Sequence, residues 1–240
     1  MEIRTVEAGR GAGWLGDGFD YFKRAAGAWI AIAVVLLVIY VALAFIPVLG
    51  TVASQLLTPV FTAGILIGCR NMDQGDTLQL GDLFKGFSGN VGHLIIIGAL
   101  NLMALVVLGI IMLILGFVLM GGIDTLTRLG SGDAAALWEN LPMLLVAMLV
   151  VLGLYIPVLM ALWFAPALVA LDGVPVQEAL SASFTGCLCN ILPFLIWGIV
   201  ALVLFIVAVI PMGLGLLVLA PMIWASTYVA YKEIFIPVKK

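Results

Sequence analysis

Histidine is almost absent from this sequence, with one residue in 240, and cysteine is scarce, with three. A single histidine leaves acid–base chemistry near neutral pH to peripheral carboxylates. No G-x-S-x-G, H-E-x-x-H or Walker-type loop occurs, so the common signatures of serine hydrolysis, zinc proteolysis and nucleotide binding are missing. Charge is short as well: Asp, Glu, Lys and Arg make up 10% of the chain, where a soluble domain carries about 25%. So few charges cannot solvate the surface of a globule this size, and lipid is the solvent that fits.

What is abundant is apolar: 65% of residues are hydrophobic and the mean hydropathy is +1.30. Residues 25–69, 86–123, 140–171 and 179–231 contain no Asp, Glu, Lys or Arg. A membrane-spanning helix needs roughly 20 apolar residues. The first and last runs are long enough for two spans each, and each is interrupted by a turn signal, Pro47 to Gly50 and Pro211 to Gly215. The expected spans are 27–48, 51–69, 92–120, 142–164, 190–210 and 213–231. The runs are continuously apolar, unlike the alternating strands of a membrane barrel. The expected fold is all-α, a single membrane domain over 1–240.

Six spans place Arg4, Arg10, Lys23, Arg24, Arg70, Lys85, Lys232, Lys239 and Lys240 on one side and Arg128 alone on the other. The positive-inside bias puts both termini in the cytoplasm. The first 24 residues mix both charge signs with aromatics and lead into the apolar run without a small-residue cleavage site. They are not expected to be a removed signal.

Self-comparison shows a repeat. Leu15-Gly-Asp-Gly-Phe-Asp-Tyr-Phe22 recurs as Leu80-Gly-Asp-Leu-Phe-Lys-Gly-Phe87, each copy just before an odd-numbered span. At helical spacing Phe19 and Phe22, and Phe84 and Phe87, fall on apolar stripes suited to the headgroup boundary. A weaker third copy runs from Val176 to Cys187. Leu57-Thr-Pro59, Ala63 and Arg70 recur as Leu219-Ala-Pro221, Ala225 and Lys232 at the same spacing; Phe164-Ala-Pro166 is a partial third copy that ends at Asp172. The expected organisation is three pseudo-repeated hairpins, 12–70, 78–172 and 175–232, each preceded by an amphipathic interfacial helix.

Several residues invite chemistry. Pro59, Pro166 and Pro221 each remove an N–H and strand the carbonyl four residues back, at Gln55, Leu162 and Leu217. Such breaks either line a cavity or are packing kinks. No ionisable residue lies mid-span; Asn101, Tyr155, Thr62 and Ser54 are the polar groups there, and Asn101 suits a helix–helix hydrogen bond. Cys187, Cys189 and His93 are a weak candidate metal set beside the cytoplasmic boundary; Cys69 lies there too. Asp73, Asp76 and Asp82 crowd the first cytoplasmic loop, Asp73 to Asp76 reading as a turn. On the far side, Ser131 to Asp133 suits a helix cap and Trp138 an interfacial anchor.

Met1 to Val6, the Pro59…Gly68-Cys69-Arg70 segment and Pro221…Tyr228-Val-Ala-Tyr231-Lys232 resemble an uncharacterised group of six-span bacterial inner-membrane proteins of betaproteobacterial type. Trp163-Phe-Ala-Pro166…Leu171-Asp172, with Glu178-Ala-Leu180 and Ser183, is similar to the YciC-like proteins and to the membrane domain found beside glycerophosphodiester phosphodiesterases. The resemblance implies a cytoplasmic-membrane protein and brings no catalytic residues.

Three functions are compatible with these features. A non-catalytic accessory or scaffold of an envelope complex comes first, and a lipid or small-molecule permeation protein with a cavity between the hairpins second. The third is a headgroup enzyme using Asp73, Asp76, Asp82 or His93. No cofactor is called for. The expected partners are membrane lipids and another membrane protein or a second copy, with no nucleic acid.

Overall fold

The computed structural model describes residues 3–132 and 135–236. The chain is 83% helix, with no strand among the described residues. The helices are α1 (Arg10–Arg24), α2 (Ala26–Ala44), α3 (Leu49–Asp73), α4 (Val91–Leu119), α5 (Ile123–Gly130), α6 (Ala135–Trp163), α7 (Ala165–Asp172), α8 (Val176–Cys189), α9 (Ile191–Val209) and α10 (Leu216–Phe235). A 3-10 segment, Leu80–Phe87, precedes α4.

Five helical stretches are long and apolar enough to cross a membrane: Ala26–Ala44, Leu49–Asp73, Val91–Leu119, Trp138–Asp172 and Ile191–Val209. They coincide with the first five expected spans. The sixth expected span corresponds to α10, which falls outside this set because Ser226, Thr227, Tyr228, Tyr231, Lys232 and Glu233 dilute its apolar half.

Two compact units divide the chain, Met1–Ala99 with Met160–Lys240, and Leu100–Leu159. In the first, Trp14, Trp29, Leu15 and Ile32 are fully enclosed with Phe164, Leu168, Ala225 and Tyr231. α1 packs on α10 and α9, and the 3-10 segment packs on α3. Lipid gives helices no hydrophobic reason to associate, so close backbone approach has to supply the contact energy. Two glycines permit it in the same way. A Cβ on Gly18 would lie 2.4 Å from the Met222 carbonyl oxygen and 2.9 Å from the Ser226 nitrogen. A Cβ on Gly86 would lie 1.9 Å from the Val60 oxygen and 3.1 Å from the Gly64 nitrogen. Met222 and Val60 each follow a proline, Pro221 and Pro59, and Ser226 and Gly64 lie at matching positions one turn on.

The segment Leu80–Phe87 departs from the expected α-helix. At three residues per turn, Leu80, Leu83 and Gly86 share a row, as do Phe84 and Phe87. Leu83 and Gly86 press onto α3, while Phe84 and Phe87 stay 45% and 42% exposed. Gln79 and Asp82 cap the segment reciprocally, so Asp82 is buried and also pairs with Lys85 at 2.6 Å.

The second unit is a simpler assembly. Asn101 and Tyr155 meet across α4 and α6, the tyrosine hydroxyl donating to Asn101 Oδ1 at 3.3 Å. After α4 the chain forms the short helix α5, and Trp138 and Glu139 lie in the first turns of α6. Arg128 pairs with Glu139 at 2.8 Å and Trp138 is exposed. Asp133 of the expected cap, like Lys239 and Lys240, lies outside the described residues.

Candidate functional site

The sequence marks three prolines as helix breaks, and all three are buried. Pro59 and Pro221 sit inside α3 and α10, with their following turns covered by Gly86 and Gly18. Pro166 corrects the expectation: α6 ends at Trp163, and Pro166 occupies the first turn of α7, where a missing N–H breaks no helix bond. The interruption falls at Phe164 and is bridged by a side chain. Ser183 of α8, fully buried, accepts from the Phe164 N–H at 2.9 Å and donates to the Met160 carbonyl at 2.7 Å. Its hydroxyl thus stands where Phe164 and Met160 would bond each other in an unbroken helix.

The densest polar cluster lies where α1, α3 and α10 converge. Asp73 ends α3 and accepts from Tyr21 of α1, from Tyr228 at 3.2 Å and from Lys232 at 2.5 Å. The Lys232 ammonium also donates to the Tyr21 hydroxyl at 3.0 Å and lies 5.0 Å from the Tyr228 ring centre. Arg10 grips Glu233, the residue after Lys232, with its Nε 3.1 Å from both carboxylate oxygens, and reaches Asp17 at 2.7 Å. Trp14 donates to the same Glu233 at 2.8 Å. Nearby, Tyr231 donates to Asp172 at 2.6 Å and Arg70 to the Leu171 carbonyl at 2.8 Å. A cleft of about 360 Å³ opens between Asp17, Tyr21, Arg24, Asp73, Lys232 and Glu233.

The electrostatics of the cleft are internally balanced. Burial, and then the bond to Asp73, push the Tyr21 phenol above its ordinary pKa, so it stays a donor. Burial opposes ionisation of Glu233, but the Arg10 and Trp14 hydrogen bonds outweigh it and hold the carboxyl below its usual range. Bonds to Glu233 and Asp17 raise the Arg10 guanidinium further above neutrality. Each carboxylate therefore faces a cation or hydroxyl of this chain, an arrangement that ties three helices together.

The N-terminal segment is tied to the same end of the molecule. The Arg4 N–H donates to the Ile234 carbonyl at 2.9 Å. Asn190, fully buried between α8 and α9, accepts from the Val6 N–H and donates to the Arg4 carbonyl, both at 2.9 Å. Its second donor bond, to the Gly186 carbonyl, is 2.8 Å.

The remaining sequence candidates scatter. Cys187 and Cys189 lie two apart on α8 and point to different environments, Cys187 buried with its thiol toward Met160 and Cys189 exposed. Two residues of a helix differ by about 200°, which prevents both from reaching one ion. His93 is exposed at the start of α4, and no metal-sized group of His, Cys, Asp and Glu forms among the described residues. Asp76 is exposed, while Asp73 and Asp82 serve the cluster and the cap. Of the expected interfacial aromatics, Phe19, Phe84 and Phe87 are exposed and Phe22 is the exception, buried in the core. Tyr21, Arg10, Trp14, Glu233 and Asn190 carried no sequence signal as site residues; the candidate carboxylate Asp73 and the repeated cation at Lys232 were the clues to the cluster.

Five helical stretches long and apolar enough to cross a membrane define a helical, multi-span membrane protein. A protein of Burkholderia thailandensis described as a probable inner membrane protein is 29% identical over 235 residues, covering 95% of this chain and 84% of the relative. No family model and no solved structure matches the chain, so the likeness to the YciC-like proteins and the phosphodiesterase-associated domain rests on the short motifs alone.

Proposed function

We propose that this is a six-span protein of the bacterial inner membrane, with both termini cytoplasmic, serving as a non-catalytic accessory or scaffold of an envelope complex. The observation that carries the scaffold reading is the bareness of two spans. In the most apolar stretches of Val91–Leu119 and Trp138–Asp172 only 11% and 6% of residues are buried by the chain itself, against 17% for Ile191–Val209, 22% for Ala26–Ala44 and 50% for Leu49–Asp73. That hairpin offers a long apolar face to another membrane protein, while the polar cluster is occupied in holding α1, α3 and α10.

Other features support the topology. The bond from the Arg4 N–H to the Ile234 carbonyl supports a reading in which both ends of the chain share one face, and with it an even number of crossings. The expected span 213–231, which leads into and fills most of α10 and ends before Lys232 and Glu233, supplies the sixth. The segment before α2 packs on the turn after Pro221 and the segment before α4 on the turn after Pro59, through Gly18 and Gly86 at different positions of the repeat, and this shared placement supports the repeated hairpins. The inner-membrane placement follows the description of the Burkholderia relative. Gentle extraction from native membranes followed by mass spectrometry tests the scaffold reading: a stoichiometric protein partner is expected, and a clean monomer sinks it.

A second reading, lipid handling, is favoured by one observation: an apolar groove of about 490 Å³ between α1, α9 and α10.

A further inference from the structure

We propose that the turns joining α2 to α3 and α9 to α10 are lipid-contact surfaces, immersed in the acyl boundary of the periplasmic leaflet instead of standing in water. The inference rests on the six-span reading and adds what the far ends of two hairpins touch. From Phe45 to Gly50 and from Ile210 to Gly215 no side chain carries a nitrogen or an oxygen. Yet Phe45, Val48, Ile210 and Met212 are the four most exposed large hydrophobics among the described residues, at 82%, 74%, 77% and 98%.

The two turns are built alike. Pro47 and Pro211 bring no N–H, and each precedes a residue of positive φ, Val48 at 61° and Met212 at 53°. A turn that faces water gives such a position to glycine or asparagine. Here a valine and a methionine hold it, so the surroundings of the side chain have to offset the strain. An apolar medium does so and water does not. The backbone of both turns is also largely closed on itself. Ile46 donates to Leu43, Leu49 to Pro47 and Gly50 to Ile46, at 2.9, 2.7 and 2.9 Å. Gly213 donates to Val209, Leu214 to Pro211 and Leu216 to Gly213, at 3.1, 3.1 and 2.9 Å. Irregular backbone that bonds itself is what lipid demands.

Reach agrees with composition. α2 and α9 have 19 residues each, a rise of about 28 Å. Lys23 and Arg24 end α1 just before α2 and hold its start at the cytoplasmic headgroups. The hydrocarbon is about 30 Å thick, so the first turn arrives at its far edge with nothing polar to carry it further. α4, with 29 residues and a rise of about 43 Å, overreaches the same thickness and leads to Asp124, Arg128 and Glu139. A periplasmic partner therefore meets the charged segment after α4, while the two turns meet lipid.

The test follows single cysteines with a membrane-impermeant maleimide in the full chain carrying Cys189→Ser, which leaves the buried Cys69 and Cys187 as the native thiols. Val48→Cys, Met212→Cys and Ser131→Cys are each reconstituted into palmitoyl-oleoyl phosphatidylcholine vesicles and into thinner dilauroyl phosphatidylcholine vesicles. Positions 48 and 212 are exposed, so neither variant disturbs the core, and each turn is read by itself. In the thicker bilayer both are expected to react at least about tenfold more slowly than Ser131→Cys, because lipid excludes the reagent and disfavours the thiolate. In the thinner bilayer, which uncovers the turns, that gap is expected to close. Reaction at the Ser131→Cys rate in the thicker bilayer overturns the immersion. Slow reaction that persists unchanged in the thinner bilayer means that something other than lipid shields the thiol, and overturns it as well. The six-span reading fails separately: labelling of native Cys189 in intact spheroplasts reverses the orientation, whatever the turns do.

Discussion

Ser183→Ala removes one oxygen atom and leaves two backbone groups facing each other across a gap. The Phe164 N–H, bonded to that oxygen at 2.9 Å, loses its acceptor inside the core. The Met160 carbonyl loses its 2.7 Å donor and keeps only the long contact from the Cys187 thiol at 3.5 Å. Water is a poor substitute at a position of zero exposure. Leaving one buried donor or acceptor without a partner costs about 1–3 kcal/mol, and the thiol partly shields the carbonyl, so the expected loss is about 2 kcal/mol. For a chain of this length that is a fall of roughly 5 °C in the melting midpoint. The assay is fluorescence-detected size exclusion of the protein heated in mild detergent, with Ser181→Ala, an exposed serine on the same helix, as control. The control is expected to shift by less than about 1 °C. A Ser183→Ala protein that melts within that margin of the wild type refutes the bridging role.

Gly18→Ala and Gly86→Ala each drive a methyl into a carbonyl, at 2.4 and 1.9 Å, and are expected to cost about 1–3 kcal/mol apiece in the same assay. Gly81→Ala, with open space around it, should be neutral; equal effects at all three would refute the contact argument. Because Glu233 has a lowered folded pKa, its stabilising contribution is full above its ordinary value of 4.5 and is lost as pH falls through the folded value. Melting midpoints measured from pH 6 downward should therefore drop less in Glu233→Gln than in the wild type, and identical slopes would count against the Arg10 clasp. Val48 adopts φ 61°, ψ −60° with a Leu49 N–H to Pro47 carbonyl bond of 2.7 Å, a tight γ-turn that strains a β-branched residue. Val48→Gly should raise the midpoint by the equivalent of about 1 kcal/mol, and a lower midpoint would show the strain is absent. Cys189 is exposed, whereas Cys69 and Cys187 are buried and burial pushes the Cys187 thiol up to about 12. An impermeant maleimide should accordingly label inverted vesicles at Cys189 and spare intact spheroplasts; labelling of spheroplasts would reverse the proposed orientation.

What the sequence by itself determined is the solvent and the local form. Four charge-free runs with turn residues inside two of them can only be apolar helices, because lipid leaves every backbone group to be satisfied within its own segment. That logic located the helices at 26–44, 49–73, 91–119 and 191–209 to within a few residues of expectation. It also found Asn101 as a helix–helix contact and the proline turns as places of interest. Periodicity failed where a tighter helix took over, at Leu80–Phe87, since a stripe computed at 100° per residue is not the stripe of a 3-10 turn.

The tertiary structure alone decided which polar residues meet. Tyr21, Asp73 and Lys232 lie on three different helices, far apart in sequence, and nothing local to any of them announces the others. The same holds for Arg10 with Glu233, and for Ser183, an unremarkable helix serine until the break at Phe164 is brought against it. Long-range pairing of this kind is set by how whole helices pack, and packing in lipid is governed by backbone approach at residues such as Gly18 and Gly86 rather than by hydrophobicity, which all the spans share.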